Sequence, residues 1–200
     1  MAGTLTAVTM FSSAPIAYTV SGPTWSQPQT PYYINAANLD LPGFSTETAV
    51  RAGADTWQQQ SAAFRFAYTG LSTQTTTTND GINLVLFRNA SSGSAIATTY
   101  WWSIGSRIVD ADMVFWDGAF QFFAGSSGCS GGFYIEDIAA HEFGHALGLG
   151  HSSFTSATMY PSVSVCNTGN RTLDADDFAG VRALYPLQPL APPAGLRIIP

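Results

Sequence analysis

The stretch that most limits what this chain can become is His141-Glu142-Phe143-Gly144-His145-Ala146-Leu147-Gly148-Leu149-Gly150-His151, which holds all three histidines of the protein. A helix turns once per roughly 3.6 residues, so His141 and His145 share one face with their Cβ atoms about 5–6 Å apart. Both imidazoles can then reach a single zinc ion, which binds nitrogen at about 2.0–2.1 Å. Glu142 can lean over the open side of the metal, where a water would sit, without being a ligand. Gly148 can end the helix in a left-handed conformation that a β-carbon disfavours. With Gly150 also unrestrained, the chain can turn back and deliver His151 as a third ligand. Three protein ligands plus water make a catalytic zinc site, whereas four protein ligands make a structural one. The plainer alternative is three solvated or core histidines on an ordinary helix. A chain with so few histidines has little reason to gather them all at ligand spacing.

Size and composition admit this reading and exclude others. Two hundred residues suit one domain with one good core. At 46% hydrophobic and 10% charged residues the chain is too apolar for disorder. It has no apolar run long enough to span a membrane. A net charge of −6 and the lack of any lysine/arginine cluster argue against nucleic acid as a partner. Low charge with abundant Ser, Thr, Gly and Asn fits a secreted protein better than a cytosolic one, and a monomer is expected. Met1 to Pro15 has neither the basic start nor the apolar core of a signal peptide. Cys129 and Cys166 are the only cysteines. They flank the expected cleft, which points to a disulfide and an oxidising compartment. Two buried free thiols are the alternative.

Along the chain, Tyr18 to Trp25 alternates weakly and Pro31 to Ala36 reads as a short strand. Ser45 is placed to N-cap a helix of about sixteen residues, with Glu47 in its first turn and Val50, Ala54 and Trp57 as its apolar stripe. Phe64 to Tyr68 alternates as a strand. Thr73 to Asn79 is a threonine-rich loop. Ile82 to Phe87 is nearly continuous in apolar residues, as a buried central strand is. Ala95 to Trp102 reads as an edge strand, where Trp101 and Trp102 serve packing rather than carbohydrate binding. Arg107 to Trp116 supplies Ile108, Val109, Met113 and Phe115 to the core. A Gly/Ser loop, residues 125–132, leads into the zinc helix. Glu136 and Asp137 fall in that helix's first turn, and Ile135, Ile138, Ala139 and Ala146 form its packing face. After His151 comes an irregular segment of about twenty residues, a length that is usually functional. Asp174 can N-cap a last helix with Asp177 at the capping-box position, and Phe178, Val181 and Tyr185 form its stripe before Pro186 stops it. Residues 186–193 read as a proline-rich tether.

Beside the zinc motif, Ala157-Thr158-Met159-Tyr160-Pro161 completes a pattern that resembles the catalytic domain of the matrixins, the matrix-metalloprotease branch of the metzincins. The resemblance extends to Gly22-Pro23-Thr24-Trp25, to the helix around Trp57, to the Ile82–Phe87 strand and to residues 173–186, covering about residues 16–186. It implies an α+β, zincin-like metzincin fold. That fold has a twisted, mostly parallel sheet with an antiparallel edge strand, an active-site helix and a C-terminal helix. It divides the chain into a catalytic domain, 1–186, and a linker, 187–200. Residues 194–199 resemble the start of a fibronectin-type-III domain. The resemblance also implies a methionine turn that sets Met159 beneath the metal. Pro161, Ser162 and Val163 would line the S1′ pocket. Asp137 would lie at that pocket's floor, where it would favour a basic P1′ side chain; a solvated first-turn carboxylate is the plainer reading. No histidines remain for the structural zinc of vertebrate matrixins, and the pro-segment cysteine is absent. Pro161 two residues past Met159 separates the chain from astacin-like and serralysin-like relatives, and His151 from snapalysin-like ones.

The chemistry implied is peptide hydrolysis. Zinc on His141, His145 and His151 acidifies a water, Glu142 takes its proton as general base, and Glu142 then protonates the leaving amine. An extended protein or peptide substrate would pair with the edge strand near Ala97 and Thr98. Asp80, Asp110, Asp112 and Asp117, read as lying near strand ends, are expected either to bind calcium or to be solvated loop carboxylates. Two alternatives are a zinc-site scaffold used for binding or adhesion with little hydrolysis, and a peptidase of narrow specificity. An intact Glu142 speaks against the first, because a retired site has no need of its base.

Overall fold

A computed structural model of the chain describes residues 17–59 and 62–187. The expectations for the leader, the proline-rich tether and the fibronectin-like tail lie outside these residues, apart from Pro186 and Leu187. Five strands form one mixed sheet: β1 (Gln29–Asn35), β2 (Arg65–Leu71), β3 (Leu84–Phe87), β4 (Ala97–Ile104) and β5 (Arg107–Phe115), in the order β2-β1-β3-β5-β4. All neighbours run parallel except β4, which pairs antiparallel with β5 and closes one edge. The sheet therefore has the expected class and the expected edge strand.

The central position of β3 explains its sequence. All four of its residues are buried. Val85 and Phe87 join the main core with the helices, while Leu84 and Leu86 join Val114 and Trp116 in a smaller cluster on the other face. Alternate side chains of a strand leave by opposite faces, so a strand covered on both must be apolar throughout. Ile82, expected inside this strand, lies before it and is exposed. Asn83 is buried instead: its amide donates to Thr30 Oγ1 and to the Pro31 carbonyl, and its oxygen accepts from the Ala111 N–H.

Three α-helices complete the fold: α1 (Gly43–Thr56), α2 (Ile135–Ala146) and α3 (Ala175–Leu184). Helix α1 starts two residues before the expected cap. Pro42 occupies the N-cap position, its carbonyl accepts from the N–H groups of Ser45 and Thr46, and Glu47 lies beyond the first turn, paired with Arg51. Proline's fixed φ, −57° here, suits entry into a helix as well as a polar cap does. Tyr18 to Trp25 does not form a strand and makes only single bridges, Val20 to Leu149 and Thr24 to Arg107. The Gly/Ser loop before α2 is flanked by a short parallel pair, β6 (Phe122–Phe123) and β7 (Phe133–Tyr134), that alternation did not reveal.

Helix α2 is held at its end from outside. Trp25 Nε1 donates to the Ala146 carbonyl at 2.7 Å and the Tyr185 hydroxyl donates to the Leu147 carbonyl at 2.6 Å. These carbonyls belong to the last turn, where no intrahelical N–H remains for them. Helix α3 carries the capping box expected of Asp174 and Asp177.

Candidate metal centre and active-site cleft

Helix α2 presents His141 and His145 to one side, and the turn after it returns His151. Gly148 makes that turn at φ +98°, and a β-carbon there would also lie 2.6 Å from the Pro23 carbonyl oxygen. The ring centroids are 4.8 Å (His141–His145), 4.9 Å (His145–His151) and 5.4 Å (His141–His151) apart. One ligand atom from each histidine lies within 4.8 Å of the others, and no other such trio of His, Cys, Asp or Glu occurs among the described residues.

The second nitrogens fix the tautomers. His141 Nδ1 lies 2.7 Å from the Thr158 carbonyl oxygen and His145 Nδ1 lies 2.9 Å from that of Leu149. A carbonyl only accepts, so each Nδ1 carries the proton and each Nε2 keeps a free lone pair. Burial pushes the His141 imidazole down to about 4, and lowers His145 and His151 by the same cause. The rings are thus neutral at pH 7, the form a divalent ion requires. Donor type, donor number and tautomer all fit one zinc ion with an open fourth position.

Glu142 is buried at 5% exposure beside this trio. Burial raises its carboxyl above the ordinary range, against the opposing pull of His145 and of a hydrogen bond from Thr99. Met159 is fully buried beneath α2. Its sulfur lies against Gly144, where a β-carbon would collide with it and with the Trp57 ring, so position 144 favours glycine.

A cleft of about 560 Å³ runs between β4 and α2. Ala97, Thr98, Pro161, Ser162 and Val163 all line it, together with the three histidines and Glu142. Phe120, Phe133, Ile138 and Val163 give it an apolar wall. The Thr98 side chain itself is engaged on the far face of the sheet, where its Oγ1 accepts from Trp116 Nε1. Trp101 faces the cleft.

Asp137 is placed differently from both expectations. It is 1% exposed and does not line the cleft. Arg171 Nε donates to its Oδ2 at 2.5 Å and the Asn170 N–H to its Oδ1 at 3.1 Å. Arg171 also reaches Glu136 at 3.2 Å and lies over the Tyr134 ring. The carboxylate is neither solvated nor free to receive a basic substrate side chain, because its charge is matched internally. It ties the segment after Met159 to α2.

The aspartates considered for calcium do not converge their oxygens on one point, although Asp80, Asp110 and Asp112 are neighbours. Asp110 and Asp112 lie within β5, fully buried, rather than near strand ends. Asp110 accepts from the N–H groups of Asp80 and Gly81, and Asp112 from those of Thr78 and Leu84, so the pair shapes the loop before β3. Asp117, also buried, accepts from the Leu39 N–H. These three are not the solvated carboxylates of the alternative, whereas Asp80 is exposed.

Cys129 and Cys166 are joined in a disulfide, so the free-thiol alternative falls. Three contributors escaped the sequence reading. Thr99 touches Glu142, Arg171 neutralises Asp137, and Asp177 accepts from the N–H groups of Thr158 and Met159 besides capping α3. Only Thr99 left a usable signal: on a strand it shares a face with Ala97 and Trp101.

A mixed sheet whose antiparallel edge borders a cleft, with two helical histidines and a third after a glycine turn, defines a zinc-peptidase site of the metzincin class. Comparison with known proteins narrows this. The family model for Matrixin matches residues 24–186, and the chain belongs to the matrixin family. It is similar to the human (Homo sapiens) neutrophil collagenase, at 48% identity over 60 residues, which is 28% of this chain and 13% of that protein. It resembles metalloendoproteinase 1 of Glycine max at 49% over 57 residues, 28% of this chain and 18% of the relative. Matrilysin of Rattus norvegicus matches at 48% over 48 residues, 24% of this chain and 18% of the relative. The matched part is thus less than a fifth of each of these curated relatives.

Proposed function

We propose that the chain is a secreted, monomeric zinc-dependent endopeptidase acting on extended protein or peptide segments. The observation that carries this is the convergence of three neutral imidazoles and a buried glutamate in a cleft bordered by an unpaired strand edge. His141, His145 and His151 would hold the zinc. When bound, zinc supplies Lewis acidity that brings a water toward deprotonation near neutral pH and polarises the carbonyl to be attacked.

The chain's own groups do the rest. Among the described residues β4 pairs with β5 alone, so its outer edge is open there to an added strand from the substrate. Glu142 takes the proton of the attacking water and returns it to the departing amine nitrogen. Its burial keeps bulk water from competing for that proton. The apolar wall of Phe120, Phe133, Ile138 and Val163 would receive the P1′ side chain, with no exposed charge from Asp137 to select a basic one. The disulfide supports an oxidising, extracellular setting. No helix among the described residues is long and apolar enough to cross a membrane.

Purified protein should contain one zinc and cleave casein until a chelator is added. A Glu142→Ala variant should keep its zinc and lose turnover by roughly a hundred- to ten-thousand-fold. Near-native cleavage by that variant would overturn the assignment of the base.

A further inference from the structure

Resting on the endopeptidase reading, we infer that Thr99 is a positioning residue that fixes which carboxylate oxygen of Glu142 faces the reaction. Thr99 lies on β4 with its side chain toward α2. Its Oγ1 is 2.6 Å from Glu142 Oε2 and 3.1 Å from the Glu142 backbone oxygen. A hydroxyl carries one proton, and the nearer side-chain oxygen takes it. Among the described residues no other side chain donates to the Glu142 carboxylate, which the Thr99 backbone also approaches. Oε2 is therefore anchored and Oε1 is the oxygen left for the substrate water.

Two features make this anchor stiff. Threonine is β-branched, so its χ1 is restricted, and here it sits in a regular strand paired with Met113. The partner glutamate is 5% exposed and lies mid-helix. The same strand also offers the open edge on which a substrate would lie. The base is thus tied by a hydrogen bond to the same strand along whose open edge the scissile carbonyl would lie. Misplacement of a catalytic group by about 1 Å can cost on the order of a hundredfold in rate.

The test compares Thr99→Val and Thr99→Ser, both zinc-loaded and zinc-free. The valine variant should keep its zinc stoichiometry and its KM within about twofold, and lose roughly 10- to 100-fold in kcat. Thr99→Ser should recover kcat to within a few-fold, because it retains the hydroxyl. In zinc-free protein, the denaturation-midpoint shifts of Thr99→Val and Glu142→Ala should be non-additive when combined. Unchanged kcat in the valine variant, no rescue by serine, or additive midpoint shifts would each overturn the assignment. If the wild type binds zinc yet cleaves nothing, the endopeptidase reading fails, and the midpoint cycle alone still decides whether Thr99 holds Glu142.

Discussion

Asp112 is a carboxylate in a place that resists charge. It is fully buried in β5, and burial pushes its pKa up to about 7 despite the N–H groups of Thr78 and Leu84, with the nearby Asp110 charge adding to the rise. A pKa raised in the folded state means that the protonated form is favoured there. The stability that Asp112 contributes is therefore full below its ordinary pKa of about 4 and is lost as pH rises through about 7. Urea titrations between pH 4 and 7 should show a flatter loss of unfolding free energy in Asp112→Asn than in the wild type. Equal slopes would show that Asp112 does not titrate in this range. Sequence alone marked Asp110 and Asp112 only as acids near a strand. Their burial depends on the 78–84 loop folding over that face, which no local pattern records. The histidine motif was legible for the opposite reason, because the spacing within one helix and one turn fixes its geometry locally.

At the scale of elements, the start of α3 reaches the metal centre indirectly. Asp177 Oδ2 accepts from the N–H groups of Asp174 and Thr158, and Oδ1 from that of Met159. The Thr158 carbonyl in turn receives the His141 Nδ1 proton. A helix cap, the Thr158–Met159 backbone and the His141 imidazole form one chain of hydrogen bonds. Asp177→Ala should strand two buried N–H groups at about 1–3 kcal/mol each and should lower the melting temperature measurably. It should also weaken zinc binding roughly tenfold or more, the usual size of a loss in the support behind a metal ligand. A competition titration with a zinc-sensitive dye would read this, and wild-type affinity in a destabilised variant would break the link. The capping box itself was visible in the sequence. Its reach to Thr158 and Met159 was not, since those residues come from a loop that only the folded chain brings alongside. The Ser45 cap failed for a related reason: Pro42 can open a helix without a side-chain acceptor.

Across the whole molecule, the irregular segment after His151 is held in place by distant attachments. The disulfide joins Cys166 to Cys129 across a sequence separation of 37, and Arg171 pairs with Asp137 and Glu136. The Cys166 N–H also donates to the Gly132 carbonyl at 2.8 Å. This segment forms one wall of the cleft through Pro161, Ser162 and Val163. A loop of this size gives about 4 kcal/mol in the chain-entropy account, and real bridges often give less. Replacing both cysteines by alanine should cost about 2–4 kcal/mol of stability and raise KM for peptides, while the zinc content stays at one per chain. Unchanged stability and unchanged KM would mean that the ion pairs hold the wall alone.

The sequence determined the metal-binding face, the turn that returns the third ligand, the buried central strand and the strand at the sheet's open edge. Each of these is encoded by periodicity or by glycine within a dozen residues, where backbone geometry leaves few choices. Tertiary structure decided what the carboxylates do. Asp137 became a buried partner of Arg171, Asp177 became a support for the Thr158–Met159 backbone, and Glu142 became the acceptor of a threonine hydroxyl. A charged side chain's role follows from the groups that surround it, and those arrive from parts of the chain that sequence spacing does not connect.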